Sequence, residues 1–449
     1  MYTSTLNTEM RKPKRRFNQK ILLLVIGAIS VFVTVSTVAQ SVKLAYGYTV
    51  GGSEVQQLVS EHIANFQQEN PDIQVELIWP LSDDGLVVMF AAGQAPDVVM
   101  ITSGVMIDFV AADLLQPLDR FFESDPAVSP NDYWPAAIYR VGGRIYGILD
   151  RTNPWVLFYN GTYFSEAGIP DPAQRYRNGD WTWDEFADAA RKLVRRTDAD
   201  QVAVYGTMSI LAHTVFPGFV WSNGGDYFSE DGTRTLLGDS EAIEVFEWVE
   251  NSLLSAPGTM YPSYGYSRMH DMALAGQLGM WISAHGAIVR YADRMPYDWD
   301  LSLPPKAKDY AVLVEGPAHA MSMTTNHPDA AWRFLVHMAG EEVHLENTRA
   351  GLGSSRRSIG TSPLYLKRTE PPFNNDIAWV AALGQYGRLE PRHEKMTSIK
   401  RILSDAWSRL IRREQSARVI AESLKQRINA ILIELNPLSP QQLYQWYRQ

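Results

Sequence analysis

Apolar and polar positions along this chain switch between a period of two and a period of 3.6, and the switches mark out its elements. Val42 to Tyr48 reads as a first strand. From the capping residue Ser53, the positions Val55, Leu58, Val59, Ile63 and Phe66 keep helical spacing until Asn70-Pro71 stops the run. Ile73, Val75 and Leu77 alternate as a second strand. A helix over about 84–92 ends at Gly93, and Pro96 forbids its continuation. Val98 to Ile101 then reads as a short buried strand, followed by the small polar residues Thr102, Ser103 and Gly104. This alternation predicts a parallel, doubly wound sheet. Ligands of such sheets bind in loops past the strands' carboxyl ends, so the 91–101 segment predicts one wall of a cleft.

Further on, Gly142-Gly143 marks a turn before a strand pair, Ile145 to Leu149 and Val156 to Tyr159. A helix begins at Thr182, which has capping-box spacing to Glu185, and Phe186, Ala189, Ala190 and Leu193 form its buried stripe. Helices are predicted over about 240–254, 266–275 and 327–339. The last 50 residues read as helical, with Ile399, Leu403, Trp407 and Leu410 on one face. The pattern is one of two α/β lobes with a helical C-terminal part.

The 449 residues suffice for two or three domains with real cores. Arg11, Lys12, Lys14, Arg15, Arg16 and Lys20 precede an apolar run from Ile21 to Val38 that closes on Thr37-Val38-Ala39. This is the form of an export signal at 1–39 cleaved after Ala39; the competing reading is an uncleaved membrane tether. The segment carries six Lys/Arg and one Glu, so its removal takes the net charge from −9 to −14. So acidic a surface disfavours nucleic acid and anionic membranes as partners. The chain has no cysteine, which excludes disulfides, thiol catalysis and a lipid-anchoring cysteine. The expectation is a periplasmic or extracellular protein.

Gly-x-x-x-x-Gly-Lys-Ser/Thr, Gly-x-Ser-x-Gly and His-Glu-x-x-His patterns are absent, so the common phosphate-loop, serine-hydrolase and zinc signatures fail. His337 and His344, with Glu341 and Glu342 between them, read as a solvated helix flank rather than a metal site. No cofactor and no metal are expected.

Seven segments, in order, carry a family resemblance. They are Ala-Gly-Gln-Ala-Pro-Asp-Val-Val (92–99), Leu-Gln-Pro-Leu-Asp (115–119), Leu-Phe-Tyr-Asn (157–160) and Phe-Ser-Glu-Ala-Gly-Ile-Pro (164–170). Trp-Thr-Trp-Asp-Glu-Phe (181–186), Asn-Gly-Gly-Asp (223–226) and Asn-His-Pro-Asp-Ala-Ala-Trp-Arg-Phe-Leu (326–335) follow. Together they resemble the extracellular solute-binding proteins of family 1, the periplasmic sugar receptors of ABC importers. The chain departs from that pattern at Gln277, where lysine is common, and at Ser354-Ser355-Arg356-Arg357. The resemblance implies two doubly wound α/β lobes joined by a three-segment hinge, a type II periplasmic-binding-protein fold. One lobe would hold 40–149 and 320–350, the other 153–314 and 355–449, with hinges near 150–153, 315–318 and 351–355.

A sugar presents an apolar face of C–H groups and a ring of hydroxyls, so its site needs flat aromatics and planar polar side chains. Trp281, where the family often has an aromatic, is the first stacking candidate; a core role is the competing reading. Trp221 precedes Asn223 and Asp226, which can bond hydroxyls or simply shape a turn. Trp155 follows Asp150 and Arg151, whose competing reading is a hinge ion pair. Trp79 and Asp83 follow the second strand, Tyr48 and Gly51-Gly52 the first, and Thr102 and Ser103 the third. Arg388 and Arg392 lie where the family often brings a C-terminal loop to the cleft. The implied function is a monomeric, non-enzymatic receptor that captures a carbohydrate and delivers it to the transmembrane permease of an ABC importer. The alternatives are a receptor for a polyamine, phosphodiester or ferric ion, and a secreted carbohydrate-active enzyme.

Overall fold

The computed structural model describes residues 41–49, 53–367, 370–393 and 395–433. The expected export signal, Gly51-Gly52 and the end of the predicted C-terminal helical region lie outside the described residues. The first strands are β1 (Val42–Tyr48), β2 (Ile73–Ile78) and β3 (Val98–Thr102). The helices Ser53–Glu69 and Asp83–Ala91 connect them. Asn70-Pro71 ends the first helix as predicted, and Ser82 caps the second through the Gly85 amide. β1 pairs in parallel with both β2 and β3, so the predicted parallel unit forms.

Beyond it the sheet turns antiparallel. Gly142 and Gly143, both at positive φ, join β4 (Ile138–Val141) to β5 (Arg144–Leu149). The six-stranded sheet runs β2-β1-β3-β12-β5-β4, with β12 (Pro317–Met321) inserted antiparallel between β3 and β5. The second sheet contains β6 (Asn153–Asn160), β7 (Arg195–Arg196), β8 (Val202–Thr207), β9 (Leu278–Ala284), β10 (Trp299–Ser302), β11 (Val312–Glu315) and β13 (Gly387–Leu389). Its order is β13-β11-β6-β9-β8-β7, with β10 beside β6. The strands predicted as a pair, 145–149 and 156–159, therefore lie in different sheets. Asp150, Arg151 and Thr152 carry the chain from one to the other.

Three such crossings meet back to back. A Cβ on Gly316 would stand 2.0 Å from the Arg151 carbonyl oxygen, and one on Gly353 2.3 Å from that of Thr152. Only glycine lets these backbones touch. β3 and β9 are buried almost throughout, which helices on both faces of each sheet require. The helix Pro328–Met338 packs Phe334 against Tyr46 of β1, ring centroids 5.0 Å apart. At the C-terminus, the helices Met396–Ile411 and Ala417–Ile433 bury Ile399, Leu403, Trp407 and Leu410. The fold is the expected one of two α/β lobes with a helical C-terminal part.

Candidate functional site

A cavity of about 1420 Å³ lies at the crossings and takes its walls from both lobes. The first lobe supplies Thr102 and Ser103 at the carboxyl end of β3, and Val55 and Leu58 from the helix Ser53–Glu69. The crossings supply Arg151, Thr152, Asn153, Glu315 and Gly316. From the second lobe come His285 and Gly286, which follow β9, and Glu390 and Lys400, which follow β13.

These side chains are held in place. The Thr102 hydroxyl donates to Asp83 Oδ2 at 3.1 Å. The Ser103 amide donates to the Gly316 carbonyl at 3.0 Å, and its hydroxyl to Glu390 Oε1 at 3.1 Å. Asn153 Oδ1 accepts from the Gly286 amide at 2.8 Å. The wall thus presents hydroxyls, an amide and carboxylates in fixed positions, suited to a ligand with several hydroxyl groups.

Behind this wall lies a buried polar chain. The Tyr46 hydroxyl meets His319 Nδ1 at 3.1 Å, and His319 Nε2 meets Asp150 Oδ1 at 3.2 Å. Asp150 pairs with Arg151, whose guanidinium also reaches the Tyr48 hydroxyl at 3.5 Å. Burial pushes the Asp150 carboxyl up, but the Arg151 charge and the His319 hydrogen bond outweigh it and hold the group ionised. Burial pushes the Tyr48 hydroxyl up to about 12.

The structure divides the predicted site residues. Thr102, Ser103 and Arg151 line the cavity. Asp150 and Tyr48 are buried behind it, and Asp150 is paired with Arg151 rather than placed on the cavity wall. Asp83 acts on the site through Thr102, while Trp79 is half-buried against the core and does not line the cavity. Trp281 is a correction. It is fully buried, stacked on Phe158 at 5.9 Å and 9°, and its indole donates to Tyr291 at 2.9 Å. Both faces of β9 are covered, so this strand offers no stacking face to the cleft.

Trp221, Asn223, Asp226 and Arg388 are corrected together, because all four are satisfied away from the cavity, the first, third and fourth by one another. The Trp221 indole donates to Asp226 at 2.9 Å, and Arg388 pairs with Asp226 while lying 4.6 Å over the Trp221 ring. Asn223 is buried and donates to Glu244 and to the Glu241 carbonyl. Trp155 is buried too, but its ring lies 6.3 Å from that of Tyr266, which is 45% exposed. His344 is likewise no solvated residue. It is buried against Ser354, and desolvation pulls its imidazole down to about 3. Among the described residues no group of acidic residues and histidines could hold a metal ion.

Sequence reasoning missed Asn153, Glu315 and Glu390 as cavity residues. Asn153 and Glu315 are register partners across β6 and β11, each beside a chain crossing. Their signal was adjacency to the glycine-bearing crossings rather than any motif. Burial raises the Glu315 carboxyl from its ordinary 4.5 to about 7, with the Glu390 charge adding to the shift. A carboxyl raised in the folded state binds its proton more tightly there than when unfolded. Its stabilising share is full below about pH 4.5 and is lost as pH rises through 7. Glu315→Gln is expected to match the parent's thermal midpoint at pH 4.5 and exceed it at pH 8. A constant difference between the two across that range would count against this assignment.

Comparison with known proteins supplies the context for this geometry. Residues 46–344 match the family model described as bacterial extracellular solute-binding protein. A protein of Brucella abortus (strain 2308), named there only as a binding protein, is 26% identical over 267 residues, 54% of this chain and 60% of that one. The chain therefore spans 60% of the length of this relative. The arabinooligosaccharide-binding protein of Halalkalibacterium halodurans is 24% identical over 344 residues, 71% of this chain and 72% of that one. Among solved structures, the sugar-binding protein MalE from Xanthomonas citri superposes with a TM-score of 0.75 at 19% identity, covering 87% of this chain and 98% of that one. The substrate-binding protein Lmo0181 from Listeria monocytogenes, in complex with cycloalternan, gives 0.71 at 21% identity, with coverage of 87% and 99%. At these identities the structural matches establish the fold.

Proposed function

Because this chain belongs to the bacterial extracellular solute-binding proteins, we propose that its cleft captures a carbohydrate and delivers it to the permease of an ABC importer. The observation that carries this reading is the cavity itself, walled by Thr102 and Ser103 on one lobe and by Gly286 and Glu390 on the other. A solute that bonds both walls binds the closed arrangement better than the open one, and this difference in affinity drives closure. No covalent step is required, so we read the protein as a receptor and not an enzyme. The arabinooligosaccharide named for the H. halodurans relative and the cycloalternan bound to Lmo0181 both point to an oligosaccharide. A cavity of about 1420 Å³ has room for several sugar rings.

We assign the lobes as 40–149 with 320–350 and 153–314 with 355–449. The hinges are then near 150–153, 315–318 and 351–355, a reading supported by the close backbone contacts of Gly316 and Gly353 with Arg151 and Thr152. Family membership implies export from the cytoplasm; residues 1–39 are the proposed signal, and the protein then acts as a monomer outside the membrane.

Titration of the mature protein with a panel of mono- and oligosaccharides, polyamines and phosphodiesters tests the reading. One or more sugars should bind unaltered and raise stability by about 2.7 kcal/mol at 100 times Kd. Binding of a polyamine or phosphodiester alone, or turnover of a sugar, would replace it.

A further inference from the structure

The helix Ser103–Ala111 starts at the cavity wall without a cap from its own chain neighbours. Thr102, in the capping position, makes no such bond because its hydroxyl is committed to Asp83. Four amides at the start of any helix lack intrahelical partners and carry the positive end of its dipole. A carboxylate from the other lobe is placed there instead. Glu390, just past β13, accepts from the Ser103 hydroxyl at 3.1 Å. A Cβ on Gly104 would stand 3.0 Å from the same Oε1, so glycine is what lets the carboxylate approach the first turn this closely. The segment is anchored twice, since Arg392 donates to the Arg140 carbonyl at 3.1 Å and lies 4.4 Å over the Tyr139 ring.

We infer that Glu390 is a cross-cleft positioning residue, whose carboxylate holds the Ser103 hydroxyl at the first turn of the helix Ser103–Ala111 from the opposite lobe and so couples the seat of Ser103 to closure of the cleft. Opening separates the Ser103 hydroxyl from Glu390, whereas closing restores their hydrogen bond. The contact therefore biases the solute-free protein towards the closed arrangement and holds Ser103 ready for a solute. Its consequence for affinity rests on the proposed solute-binding role; the bias between open and closed forms does not.

Because the chain has no cysteine, a spin label at Glu76→Cys in β2 and another at Asp198→Cys in the β7–β8 turn report the distance between lobes. In solute-free protein, Glu390→Ala should shift the distribution towards longer distances, reducing the closed fraction relative to the open about fivefold, the size of one lost hydrogen bond. Ser103→Ala should give a similar shift, the double variant little more than either single, and Glu390→Gln an intermediate one. For any sugar that binds, Glu390→Ala should weaken affinity by a similar factor. A Glu390→Ala distribution identical to the parent's, or shifts that simply add in the double variant, would overturn the inference. If no sugar binds, the solute-binding reading fails, while the distance measurement still decides the role of the Ser103–Glu390 contact.

Discussion

Replacing Asp150 with alanine is expected to destabilise the protein by about 3–5 kcal/mol, the usual effect of removing one partner from a buried ion pair. The side chain is almost wholly buried, with Arg151 on one side and His319 on the other. Without it, the Arg151 guanidinium keeps its charge with the Tyr48 hydroxyl as its remaining hydrogen-bond partner among the described residues. His319 keeps Tyr46 and loses its second partner. The damage would fall where β1, β12 and the first crossing join, so lobe geometry should suffer along with stability. Urea unfolding of parent and variant at pH 7 measures the loss. A second reading comes from acid. The Asp150 carboxyl is held below its ordinary 3.8, so its share of stability is present above that pH and fades as pH falls further. The gap between parent and Asp150→Ala should therefore narrow towards pH 2. A loss below about 1 kcal/mol at pH 7 would show that the pair adds little beyond its desolvation penalty.

Trp281→Ala is expected to remove about 3–5 kcal/mol of stability, the usual range for deleting a large aromatic from a packed core. Trp281 stacks on Phe158, meets Tyr291 edge-on at 5.7 Å, and donates to the Tyr291 hydroxyl, which also contacts His270 at 2.6 Å. Alanine would leave a cavity beneath β6 and β9 and strip Tyr291 of a donor. Solute affinity of the remaining folded protein, measured at low temperature, should stay within about twofold of the parent's. This outcome is opposite to the one a stacking role requires. Lost affinity with an unchanged denaturation midpoint would return Trp281 to the binding site.

The contrast between these residues shows where the sequence could be read. Asp150 and Arg151 are neighbours, and both were candidates for the site. They lie in the bend between β5 and β6, where Asp150 turns inward to His319 and Arg151, paired with it, reaches the cavity. Which side faces solvent depends on what packs against the strand, and no local pattern states that. Trp281 had the right composition and the right place in the family pattern. Burial of β9 on both faces erased the alternation that separates a core ring from a cleft ring. The four residues Trp221, Asn223, Asp226 and Arg388 were each plausible hydroxyl partners. Trp221, Asp226 and Arg388 are spent on one another, a pairing that joins positions 162 residues apart, and Asn223 is spent on Glu241 and Glu244.

By itself, the sequence determined the local elements and their order: the first strand-helix-strand unit, the stop at Asn70-Pro71, the capped helix after Thr182 and the C-terminal helices. These depend on periodicity, caps and breakers, which act over a few residues. It also determined the family, because seven short segments keep their order over about 240 residues, from 92 to 335. Tertiary structure alone decided the rest. It inserted β12 beside β3, brought three crossings together on Gly316 and Gly353, and set Glu390 against a helix nearly 300 positions earlier in the chain. Contacts of that range depend on which surfaces are left uncovered once the elements pack, and composition along the chain does not encode this position by position.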